Sequence, residues 1–162
     1  MKNVKILLMT VLVLSISSCT TTMSFTQLAN ADQQQQLERN RNIHIAEVSD
    51  GAFVGRVFAG SGATVANFFT VYMRPFAAQI TSEEEAYYIV NAVITHWEPR
   101  AAAWSGIPTQ VRMHVSIVER ASRNEVINKE LSIRGRSVTW ASQSAEGLAE
   151  YMIRNFVSEI FQ

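Results

Sequence analysis

The 162-residue chain has little cysteine, proline, histidine or net charge: one Cys, three Pro, three His, and a formal net charge of zero. With Cys19 as the only cysteine, an intramolecular disulfide is excluded and the core must hold the fold by itself. The charge balance, turned slightly acidic once Lys2 and Lys5 are set aside, and the lack of a basic stripe speak against nucleic acid or anionic lipid head groups as the main partner. No apolar run approaches the roughly 20 residues that a membrane-crossing helix needs. His44, His96 and His114 are scattered, with no spacing that recommends them as metal ligands, and no nucleophile sits in a recognised elbow.

What is present begins at the N-terminus. Lys2 and Lys5 precede the apolar run Ile6-Leu7-Leu8-Met9-Thr10-Val11-Leu12-Val13-Leu14, and polar Ser and Thr follow it. That is the n-region and h-region of a secretory signal, not a transmembrane helix with a basic stop-transfer flank. Ile16-Ser17-Ser18-Cys19 then resembles the lipobox of bacterial lipoproteins. The resemblance implies cleavage after Ser18 and a diacylglycerol with an amide-linked acyl chain (palmitate or similar) on Cys19, and no other cofactor. Thr20, rather than Asp, as the second mature residue resembles lipoproteins sorted to the outer membrane of Gram-negative bacteria, with the domain facing the periplasm. Two acyl attachments exceed the threshold for stable anchoring, so the domain needs no membrane-binding face of its own.

Three segments follow from this reading: a signal peptide over 1–18, a lipidated polar tether over 19–41, and one α/β domain over 42–162. The tether contains Thr20-Thr21-Thr22, Gln33-Gln34-Gln35-Gln36 and Glu38-Arg39-Asn40-Arg41, a composition too polar to bury itself. A helix over Ser24 to Arg39 is the alternative, since Phe25, Leu28 and Leu37 flank helix-tolerant Ala and Gln.

Within the domain, alternation of Ile43 and Ile45 with His44 and Ala46 predicts a half-buried strand, which Ser49-Asp50-Gly51 ends with turn chemistry. Val65, Phe68, Phe69 and Tyr72 at helical spacing predict a helix over Ala63–Met73, bounded by Pro75 and followed by a brief strand near Ala77–Ile80. Thr81-Ser82-Glu83-Glu84-Glu85 reads as a cap and an acidic first helical turn. Tyr88 to Trp97 is apolar on both faces, the pattern of a central strand. Gln110–Glu119 and Glu125–Arg136 alternate, and the short connector Ala121-Ser122-Arg123-Asn124 makes them an antiparallel hairpin. Ser144 caps a last helix with Leu148, Met152, Phe156 and Ile160 on one stripe, widened by Ile153, Val157 and Phe161. The expected fold class is α/β (α+β): a two-layer mixed sheet of four to five strands with two main helices packed on it.

The residues that suggest chemistry are His96-Trp97-Glu98-Pro99-Arg100, then Trp104-Ser105-Gly106, with Arg136 and Trp140 near Gly135. Together with Ala59-Gly60-Ser61-Gly62 they make the chain similar to uncharacterised proteobacterial lipoproteins that carry a domain of unknown function. That resemblance implies a fold akin to compact envelope modules such as the N-terminal domain of the translocation protein TolB, and brings no established activity.

From the residues themselves, His96 and Glu98 lie two apart and share a strand face, the geometry of a base and its orienting carboxylate. An enzyme or small-ligand pocket near His96, Glu98 and Arg100 is therefore one reading. In the other, Trp97 and Trp104 bury large apolar area while Glu98 pairs with Arg100 or Arg136, or the same aromatics and Arg anchor a protein partner. Gly60-Ser61-Gly62 ahead of a helix offers either an anion cradle or a flexible N-cap; it lacks the Lys of a phosphate loop. The function expected is that of a non-enzymatic interaction or assembly module of the cell envelope.

Overall fold

A computed structural model of the chain describes residues 36–99, 108–135 and 144–162. The expected cleavage and lipidation sites Ser18 and Cys19, and Arg100, Trp104, Arg136 and Trp140 of the expected site, lie outside the described residues.

The elements run β1 (Ile43–Ile45), β2 (Ala52–Phe53), β3 (Arg56–Val57), α1 (Ser61–Met73), a 3-10 turn (Glu83–Glu85), β4 (Tyr88–Glu98), β5 (Gln110–Glu119), β6 (Glu125–Arg134) and α2 (Ala145–Ile160). The main sheet has four strands in the order β1-β4-β5-β6, and β2-β3 is a separate two-stranded hairpin. β1 runs parallel to β4, while β4-β5 and β5-β6 are antiparallel. The domain is thus a mixed α/β sheet layered with two helices, as the strand and helix periods predict.

One layer is dry. Val111, Met113, Val115 and Ile117 of β5 and Leu131 and Ile133 of β6 face Leu148, Met152, Ile153, Phe156 and Val157 of α2 and Val65, Phe69 and Met73 of α1, all buried. Edge-to-face contact of Phe69 with Phe156 (6.3 Å between centroids) and stacking of Phe76 on Phe161 (4.9 Å) tie the helices together. The Ser144 hydroxyl accepts from the Gly147 N–H at 3.0 Å, the cap its sequence position predicts.

The other face has no covering layer among the described residues. β4 is central in pairing, but the described residues cover it on one side only: Tyr88, Val90, Ala92 and Ile94 are buried while Val93, between them, is 55% exposed. The expectation that β4 is buried on both faces is therefore corrected. Two helices suffice for one face of a four-stranded sheet, and the apolar residues of the other face sit among Asn91, Arg112, His114 and Ser116.

Other expectations are also refined. The brief strand at Ala77–Ile80 reduces to a single parallel bridge of Ile80 to Ile43. The acidic Glu83-Glu84-Glu85 segment makes one 3-10 turn and stops, because Ala86 is already extended (φ −72°, ψ 146°) to feed the aromatic and β-branched start of β4. The body also begins before Asn42. Leu37 is buried and its N–H donates to the Ile160 carbonyl at 2.9 Å, while Arg39 Nη2 donates to the Phe161 carbonyl at 2.6 Å. The last residues of the polar stretch are therefore docked on the C-terminal end of α2. No helix among the described residues is long and apolar enough to cross a membrane.

Candidate functional site

Among the described residues three places carry chemistry-bearing side chains, one at each end of β4 and one at the entry to α1. The first is the His96-Trp97-Glu98 segment, and a bulge arranges it. The β4-β5 register passes from Ile94 opposite Met113 to His96 opposite Arg112, so Thr95 is an extra residue. The alternation changes phase there. Without the bulge His96 would follow Ile94 into the core; with it Trp97 turns inward, to 1% exposure, and His96 and Glu98 turn to the open face. His96 Nε2 lies 3.1 Å from Glu98 Oε2, both side chains partly buried, and Phe53 of the β2-β3 hairpin packs edge-on against the imidazole at 5.0 Å. Trp97 is thus a core residue that Gly51 touches so closely that a Cβ there would come within 2.7 Å of Trp97 Cβ. It presents nothing to a partner.

The second place is the entry to α1. Gly60 has φ +85°, a conformation glycine adopts freely, and Gly62 passes so close to the Val48 carbonyl that a Cβ would lie 2.0 Å from its oxygen. The amides that an external anion would need are held by the chain's own Asp50: the Gly62 N–H donates to Oδ1 at 2.8 Å and the Gly60 N–H to Oδ2 at 3.1 Å. Ser61 Oγ in turn accepts from the Gly51 N–H at 2.8 Å. Bonds from Gly62 and then Gly60 hold the Asp50 carboxyl below its ordinary value. Gly60-Ser61-Gly62 accordingly works as an anion cradle for an internal carboxylate.

The third place was not legible in the sequence. At the start of β4, on the open face, a shallow basin of about 550 Å³ is lined by Glu83, Glu84, Ile89, Asn91, Val118, Arg120 and Arg123. Ile89 and Val118 face each other across β4 and β5 and form its floor. Arg120 is fixed by donating from Nε to the Ala86 carbonyl at 2.9 Å. The Glu84 carboxyl is held below its ordinary value, chiefly by its own backbone N–H and the Ser82 hydroxyl, with His44 and Arg120 adding favourable charge. Beside the basin, a hydrogen bond to Glu119 and burial push the Tyr87 hydroxyl up to about 12, and Arg41 lies over the Tyr87 ring at 4.4 Å. A run of three glutamates is ordinarily a solvated face. Only the β4-β5 pairing and the turn carrying Arg120 and Arg123 make it one wall of a concavity.

The three histidines do not converge. His44 Nδ1 bonds the Thr81 carbonyl (2.9 Å), His96 the Glu98 carboxylate, and His114 Nε2 the Asn128 side-chain oxygen (2.6 Å). The concavity lies at the opposite end of β4 from the His96–Glu98 pair.

No family model and no curated protein matches the sequence. Solved structures do share the fold. A PelC dodecamer from Paraburkholderia phytofirmans aligns with a TM-score of 0.62 at 11% identity, over 87% of this chain and 97% of that one. A Xanthomonas campestris protein of the family designated DUF330 aligns at 0.55 and 10% identity, over 82% and 86% of the two chains. A hypothetical protein from Chlamydia trachomatis aligns at 0.54 and 9% identity, over 75% and 96%. At these identities the likeness is one of fold, and it spans nearly the whole of each neighbour.

Proposed function

We propose that the chain is a lipoprotein anchored through Cys19 in the outer membrane, whose domain faces the periplasm and acts as a non-enzymatic interaction or assembly module of the cell envelope. The observation that carries this reading is the N-terminal pattern: Lys2 and Lys5, the apolar run Ile6 to Leu14, and Ile16-Ser17-Ser18 before the sole cysteine. Lipidation also removes what would otherwise be an unpaired thiol in an exported protein. The resemblance of the His96 to Gly106 segment to uncharacterised proteobacterial lipoproteins agrees with it. A neighbour in fold that is itself an assembly, the PelC dodecamer, supports an assembly role. The open sheet face offers room for a partner.

The test is radiolabelled palmitate incorporation and membrane fractionation in a Gram-negative host, with Cys19→Ala beside the wild type, and photocrosslinking from His114 on the open face. The reading requires label that the variant loses, sedimentation with the outer membrane, and a discrete crosslinked protein. Unlabelled wild-type protein in the soluble fraction overturns the anchor; absence of any crosslink from the folded, anchored chain overturns the interaction role.

A further inference from the structure

The β2-β3 hairpin is built against its own backbone preference. Its two turn residues are Val54 and Gly55, with φ of 47° and 75°, so both lie in the left-handed region, as in a type I′ turn. Gly55 accepts this freely, but a β-branched residue there is strained, and Asn or Gly is what such a turn ordinarily carries. Val54 is also 85% exposed and Val57 63%, the two highest values among the exposed large hydrophobic side chains described. Arg56 stands exposed between them, its guanidinium over Phe58. Neither folding nor solubility explains an apolar, strained, cationic tip. Strain of this kind is retained where it presents a side chain to something else.

The same molecule carries a surface of complementary character. The basin at the other end of β4 has an apolar floor of Ile89 and Val118 and a carboxylate wall of Glu83 and Glu84, with Asn91, Arg123 and Arg120, the last held to the Ala86 carbonyl, completing the lining. It is shallow and open, with a volume of about 550 Å³. Val54 matches the floor, Arg56 the carboxylates, and the carbonyls of the tight turn are acceptors for Arg123. From His96, where the hairpin packs, to Ile89 in the basin is roughly 20 Å along the strand, so one copy cannot fill its own basin with its own tip.

We propose that the Val54–Val57 hairpin tip of one copy docks in the Glu83, Glu84, Ile89, Val118 basin of a second copy. The contact joins two different surfaces and is therefore heterologous: each copy keeps a free tip or a free basin, and association continues until a ring closes or a filament grows. This rests on the reading of the chain as an interaction module and names a second copy as the partner.

Sedimentation equilibrium of the full chain in density-matched detergent tests it. The wild type is expected to associate beyond the dimer. Val54→Asn relieves the turn strain, so it is expected to raise Tm while weakening association about 30-fold, the lost burial of its apolar side chain. Glu83→Lys combined with Glu84→Lys, both exposed positions, is expected to leave Tm near the wild-type value and to abolish association. Mixing the two variants is expected to restore one species only, a 1:1 dimer formed by the intact tip of one and the intact basin of the other. A wild type that is monomeric at every concentration, association as strong as the wild type's in Val54→Asn or any association in the Glu83/Glu84 double variant, or a mixture that stays monomeric overturns the proposal. Crosslinks to a different protein, with no self-association, overturn it too while leaving the envelope role standing.

Discussion

The two faces of the β4-β5 pair are made from the same twenty or so residues and have opposite fates. On one face Val111, Met113, Val115 and Ile117 alternate into contact with α1 and α2 and are fully buried. On the other, Val93, Arg112, His114 and Ser116 meet solvent among the described residues, and the His96–Glu98 pair and the Glu83, Glu84, Arg120, Arg123 basin lie on that side. Apolar burial is concentrated on the first face and charged and polar side chains on the second. The side chains after the Thr95 bulge change face: Trp97, which by simple alternation belongs with the exposed set, joins the core, and His96 and Glu98 leave it.

Substitution at the bulge strains this comparison most. Trp97→Ala is expected to cost about 3–5 kcal/mol, a large-to-small change at a site with no exposure, read as a lower denaturation midpoint at unchanged m-value. A cost below about 1 kcal/mol would place Trp97 outside the core and remove the reason for the bulge. Ser144→Ala removes the α2 cap and is expected to cost about 1 kcal/mol, visible in the same unfolding curves.

Asp50 sharpens the comparison through pH. Its folded value lies below the ordinary 3.8, so its contribution is fully present above that value and is lost as pH falls through the depressed one. Asp50→Asn is therefore expected to destabilise the chain at neutral pH and to flatten its unfolding midpoint against pH below about 4; parallel profiles would show that the carboxylate charge is immaterial to α1. The smallest effect belongs to the open face. Val93→Thr is expected to fall within about 0.5 kcal/mol, and a larger loss would mean that this face is covered.

Much of the fold was legible because its signals are local. The strict alternation of Gln110–Glu119, the short connector at Ala121–Asn124 and the apolar stripe behind Ser144 each need only neighbours in sequence, and each appears as read. The hairpin at Val54-Gly55 went unread because valine is the wrong residue for a type I′ turn, and the basin because its walls come from segments about 35 residues apart. His96 and Glu98 were expected on one strand face and lie on one; that their face is the open one, with Trp97 on the other, depends on Thr95.

By itself the sequence determined the succession of β1, α1, β4, β5, β6 and α2, the inward sets of β5 and α2, the cap at Ser144 and the signal-like N-terminus, since side-chain period, capping and hydropathy act over a few residues. The tertiary structure alone decided that the described residues bury β4 on one face, that Asp50 caps a helix beginning eleven residues later, and that Glu83 and Glu84 wall a concavity with Arg120 and Arg123. These depend on which segments meet. That is set by the summed burial of the whole core, a quantity no window of the sequence contains.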